Sequence, residues 1–301
     1  MGLFSGRYTK EGPGVSKDAP EKHRFFLFFE LFFRKFTKLI WLNFIYFVTL
    51  LPLIGGVFLS VKIHPDITNA INNGTFDGIG GLPLFVFTGD IIGLGLLILS
   101  IFVTGPATAG FTYVLRNFQR EEHAWVFSDF REHFRKNYKQ GVLMGLIDVI
   151  LAVLLYVAFV FYVYQMPVTM PDMGLLSTIG ATLIVIISVL FVFMHFYIYV
   201  MMVTFQLTFK QLLQNAFLFA LGKLPINILV FVIVGAIAVA FVLFLPLSII
   251  AAPVLLLSLI GYIIVFAVYP SIDRLMIHRT DGTDDTDGDG AEEERDFTDT
   301  I

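Results

Sequence analysis

The chain has 301 residues, of which 57% are apolar and only 15% charged, against roughly 25% charged in soluble domains. That balance excludes an ordinary water-soluble domain, and the absence of cysteine excludes disulfides, thiolate nucleophiles and cysteine metal sites. The net charge of -4 hides an uneven placement of the basic residues.

Residues 1–24 form a polar tail. They do not read as a cleavable signal peptide, because no small-residue cleavage site follows a short apolar core. The run from Phe25, "FFLFFELFFRKFTK", sets Glu30, Arg34, Lys35 and Lys38 among phenylalanines. It is apolar nearly all round and is expected to pack on a helical bundle as well as on lipid. Sequence leaves open whether it is a separate interfacial helix or a bent extension of the first span.

A bilayer core of about 30 Å takes roughly 20 apolar residues as helix. Six segments qualify: 39–61, 84–114, 141–164, 175–203, 226–245 and 247–269. The second and fourth exceed the required length and must tilt, break or project. The last two meet at Pro246 in a tight hairpin. The fold class is therefore all-α: a polytopic membrane domain over 25–273, with an acidic tail over 274–301 rich in Asp, Gly and Thr that is expected to be disordered.

Between the second and third spans, Phe127, Phe130, Phe134 and Tyr138 recur at helical spacing, with Arg131, Arg135, Lys136 and Lys139 on other faces. Ser128 and Asp129 suit the cap and first turn. Two readings stand: an amphipathic helix in the membrane interface with its basic flank near lipid phosphate, or the same stripe packed on the end of the bundle. A third amphipathic segment, 209–224, lies between spans four and five. Of the 20 lysines and arginines, all but Lys62 fall in the two tails and in the loops after spans two and four. By the positive-inside rule both termini are cytoplasmic and the loop holding Lys62 is external. Asn73-Gly74-Thr75 in that loop is a formal glycosylation sequon of the kind that arises by chance.

Leu51-Pro52, "GPATAGFTYVLRNFQREEH", "FSDFREHFRKNYKQG" and "FKQLLQNAFLFALGKLPIN" occur in an order that resembles the YesL-like bacterial integral membrane proteins, a domain family of unknown function (domain of unknown function 624). The resemblance covers 25–273 and carries no catalytic residue. Members are frequently encoded beside importers of complex carbohydrates, so the resemblance implies an accessory role in sugar uptake and makes an importer complex a candidate partner.

No phosphate-binding glycine loop, helical zinc motif or serine elbow is present. Asp129 and His133, one helical turn apart, lack a third metal ligand. Asp285, Asp287, Asp289 and Asp296 match the spacing of a calcium loop, but position twelve is not Glu and no amphipathic helices flank it. A tail of this composition produces such a match by chance. Charge within a bilayer is costly and usually faces a partner or cavity, which singles out Asp148 in span three and His195 in span four. Their distances from the cytoplasmic helix ends place them at similar depth. Small residues Gly141, Gly145, Ala236 and Ala240 suit close helix contact.

The sequence thus leads to a cell-membrane protein that is not an enzyme and needs no cofactor. Lipid is its expected partner, with no nucleic acid. It reads as an accessory or scaffold component of carbohydrate uptake, the alternative being a small-solute transporter linked to protons through Asp148 and His195.

Overall fold

The computed structural model describes residues 23–62 and 91–277. The Asn73 sequon, the aspartates 285, 287, 289 and 296, and most of both tails lie outside the described residues. Within them the chain is helical with no strand. Helix α1 is Arg24–Arg34, α2 Phe36–Lys62, α3 Ile91–Gln119, α4 Val126–Lys136 and α5 Tyr138–Phe159. A π-helical turn, Val160–Gln165, leads into the short α6, Met166–Thr169. Then come α7 Gly174–Thr204, α8 Phe209–Gly222, α9 Leu224–Leu243 and α10 Leu245–Ala251, and a second π-helical turn, Ala252–Leu256, before α11, Leu257–Ile272. Six stretches are long and apolar enough to cross a membrane: Phe36–Leu59, Gly93–Gln119, Tyr138–Thr169, Pro171–Thr204, Leu224–Leu243 and Ser248–Met276.

Side chains divide the bundle into two unequal halves. The large, fully buried ones, among them Leu31, Leu39, Phe118, Tyr197, Met201 and Leu212, gather at the end that carries Arg34, Arg116, Arg135 and Lys139, here called the basic end. Toward the other end residues such as Ile54, Phe58, Leu99, Leu175, Val185 and Val242 remain exposed on the bundle surface. That is the arrangement expected where lipid, as apolar as leucine, is the solvent.

Three short helices surround the basic end. Helix α1 breaks from α2 at Lys35 and seats Leu31 in the core, with Phe28 centred 5.0 Å from Tyr262 and 5.2 Å from Phe266. Phe25, Phe26, Phe29 and Phe33 face outward. Helix α4 packs on α3, with Phe130 buried and Phe134 against the core. Phe127 and Tyr138, the other two aromatic residues of the series, are exposed on the bundle surface. Ser128 is not the cap. The helix starts at Val126, and the Asp129 carboxylate reaches back 2.9 Å to accept from the Trp125 backbone N–H. Helix α8 opens with a capping box between Thr208 and Gln211 and packs on α7 much as α4 packs on α3.

Close approach between spans depends on glycine at one crossing above all. Gly105 in α3 and Gly141 in α5 meet backbone to backbone: a Cβ on Gly141 would lie 2.6 Å from the Pro106 nitrogen, and one on Gly105 would run into the Gly141 carbonyl. Gly145 continues this contact against Ile101. By contrast Ala240 in α9 is exposed, so the small residues of span five do not form a comparable seam. The second span also runs to Gln119 instead of ending at 114, because Arg116 and Asn117 are buried.

Candidate functional site

The seam between α3 and α5 holds α5 where Asp148 faces α7. There Nε2 of His195 lies 3.0 Å from Oδ1 of Asp148, within the apolar stretches of spans three and four. The other ring nitrogen, Nδ1, is 3.1 Å from the Phe191 carbonyl oxygen, one turn back in α7. A carbonyl only accepts, so Nδ1 carries a proton. In the neutral ring Nε2 is then a bare acceptor aimed at another acceptor. Oδ1 is buried without an aligned hydrogen-bond donor, although the contact is at ion-pairing distance.

Beside it is a cavity of about 220 Å3 between α2, α3, α7 and α11. Tyr46, Thr108, Thr112, His195 and Tyr199 supply its polar atoms among apolar neighbours such as Phe111. Tyr46 and Thr108 share a hydrogen bond of 2.9 Å between their hydroxyls. Tyr199 follows His195 by one turn, with ring centroids 6.2 Å apart. Drug-sized ligands occupy about 300–1,000 Å3, so this cavity suits an ion, water or a very small solute and is too small for a complex carbohydrate.

The remaining polar side chains of the spans serve the backbone. Asn43 in α2 is wholly buried. It donates to the Ala252 carbonyl and accepts from the Ser258 N–H, both at 2.8 Å. Pro253 breaks the ladder of the sixth span there. Asn227 at the start of α9 donates to the Ala220 carbonyl at 2.9 Å and accepts from the Tyr197 hydroxyl at 2.7 Å, closing the end of α8. Arg116 donates to the Val203 carbonyl at 2.9 Å and to Asn117 at 3.0 Å, with its guanidinium 4.6 Å from the Tyr113 ring centroid. Nothing in periodicity or motif marks these three. The signal that finds them is the cost of an unsatisfied amide or guanidinium away from water.

At the basic end the ring of His133 stacks on Tyr113, centroid to centroid 3.3 Å. Burial, then Lys136, then Arg116 lower its pKa to about 4, so it is neutral at physiological pH. The Asp129 carboxylate accepts from the Trp125 N–H, and among the described residues no third carboxylate or histidine joins it and His133 in a metal-binding cluster. Of the basic residues expected on α4, Arg135, Lys136 and Lys139 line one cleft against the end of α7, and Arg131 lines another with Phe127 and Glu132.

Fold and site together define a polytopic helical membrane protein with a polar pair inside its bundle. The family model described as "Protein of unknown function, DUF624" matches residues 36–159, from the start of α2 to the end of α5, and over that segment confirms the resemblance to the YesL-like family. Neither a curated protein nor a solved structure matches the chain.

Proposed function

We propose that this protein is a non-enzymatic accessory or scaffold component of carbohydrate uptake, resident in the cell membrane with both termini in the cytoplasm. The observation that carries this reading is the concentration of the packed core at the basic end. The bundle's side chains are most buried where α1, α4 and α8 surround it, and a cytoplasmic platform of that kind suits a protein that holds a partner. Helix α8 offers Phe217, Leu218 and Leu221 outward. The cavity near the polar pair is too small to carry the carbohydrate, which also favours an accessory role over a carrier of sugar. The link to carbohydrate importers rests on the family resemblance alone.

Two experiments test the reading. Cross-linking followed by purification in mild detergent should recover importer subunits with the protein, and recovery of the protein alone, at native expression, would refute the accessory role. Single cysteines placed at Asn73 and Asn137 in this cysteine-free chain should react with an impermeant reagent from opposite sides. Labelling of Asn137→Cys in intact cells would reverse the orientation.

A second reading is favoured by the contact of Asp148 with His195 inside the bundle beside a small cavity: proton-linked movement of a small solute. Protein in liposomes should then dissipate a pH gradient in a manner abolished by Asp148→Asn.

A further inference from the structure

Where α4 turns into α5, against the end of α7, the surface opens into a cleft of about 840 Å3, a volume typical of ligand sites. Arg135, Lys136 and Lys139 stand on its wall, all exposed. None of them makes an ion pair among the described residues. Helix α5 begins here without a capping side chain and with no acidic residue in its first turn, and Asn137 donates its amide to the His133 carbonyl at 3.0 Å. His133 lines the same cleft, only 6% exposed, and its Nδ1 is buried with no hydrogen-bond partner. On the opposite wall two carbonyls that would repel an anion are already taken: Arg116 donates to Val203 and Gln140 to Leu207, at 2.9 and 2.8 Å.

We propose that this cleft binds the phosphate of an anionic phospholipid headgroup. Its depth supports a lipid, since the third span starts at Tyr138 and the fourth ends at Thr204, which sets the cleft at the membrane surface. Below it Lys139, Leu143, Leu146 and Ile150 follow one another at helical spacing, and the three apolar residues are exposed. This stripe gives an acyl chain a path down α5 from the cation that holds its headgroup. A soluble phosphate has no use for such a path. The inference is independent of the accessory reading and of the Asp148 and His195 pair.

The test uses the full-length protein in mild detergent, titrated with short-chain phosphatidylglycerol or phosphatidylcholine and followed by native mass spectrometry. Phosphatidylglycerol should bind about tenfold more tightly or better, since both headgroups carry the phosphate but the choline ammonium sets a positive charge beside Lys136 and Lys139. Lys136→Gln with Lys139→Gln should reduce it to the phosphatidylcholine level, whereas Arg131→Gln, in the neighbouring hollow, should leave it unchanged. Melting without added lipid checks that the double variant is folded, and Lys139→Gln alone replaces it if it is not. Equal binding of the two lipids, or undiminished phosphatidylglycerol binding in the folded variant, would overturn the proposal. So would displacement by inorganic phosphate at concentrations matching the lipid, which would assign the cleft to a soluble anion.

Discussion

Asn43 fills the break in the sixth span: its amide donates to the Ala252 carbonyl while its oxygen accepts from the Ser258 N–H, each at 2.8 Å. One side chain thus replaces the ladder contacts interrupted around Pro253 and fixes α2 against α11. Asn43→Ala would leave a buried donor and a buried acceptor unpaired, at about 1–3 kcal/mol each. Thermal unfolding in detergent should fall markedly for Asn43→Ala and hardly at all for Thr178→Ala at an exposed position. Equal melting of the two variants would show that lipid or detergent satisfies the break without Asn43.

The contact of Asp148 with His195 predicts coupling. Asp148→Asn and His195→Gln should each lower stability, and the double change should cost less than the sum of the singles by about 0.5–3 kcal/mol. Additive effects in a double-mutant cycle would separate the two residues energetically despite their distance.

The seam between α3 and α5 predicts sharp intolerance at Gly141. Gly141→Val places a Cβ 2.6 Å from the Pro106 nitrogen, backbone that cannot step aside as a side chain can, so a loss of about 1–3 kcal/mol or more is expected. Gly235 in α9 has nothing within 4 Å of the corresponding position. There alanine should be neutral or stabilise by up to about 1 kcal/mol through helix propensity. The paired melting curves decide it, and a harmless Gly141→Val would mean the two spans are not in contact.

His133 predicts an acid-sensitive basic end. Its folded pKa, about 4 through burial with Lys136 and Arg116 adding to it, lies below the unfolded value of about 6.5. The unfolded chain therefore binds the proton more readily, and the contribution to stability, up to about 3 kcal/mol, is complete above about pH 6.5 and lost as pH falls toward 4. His133→Phe keeps the stack on Tyr113 and removes the titration. Its melting should be flatter between pH 6.5 and 4 than that of the native chain, and identical slopes would reject the assignment.

The six spans were legible because lipid imposes a length and a composition that no other solvent does. The short helices α1, α4 and α8 were legible from apolar residues recurring beside clustered charge. Depth counted from the helix ends set Asp148 and His195 level, which periodicity and rise per residue are sufficient to decide. Which face each turns to its neighbour was not, since α5 is apolar all round and has no amphipathic stripe to orient it. The tertiary contact of Gly105 with Gly141 decided that rotation, because only two residues without side chains let the helices approach so closely. The same holds for Arg116, which follows the apolar stretch 84–114 in sequence and in the fold is buried on the Val203 carbonyl near the end of α7. A charge is expensive to bury, and sequence assigns it to water by default. It stays inside here because the end of another helix, distant along the chain, supplies the acceptors that water would have given.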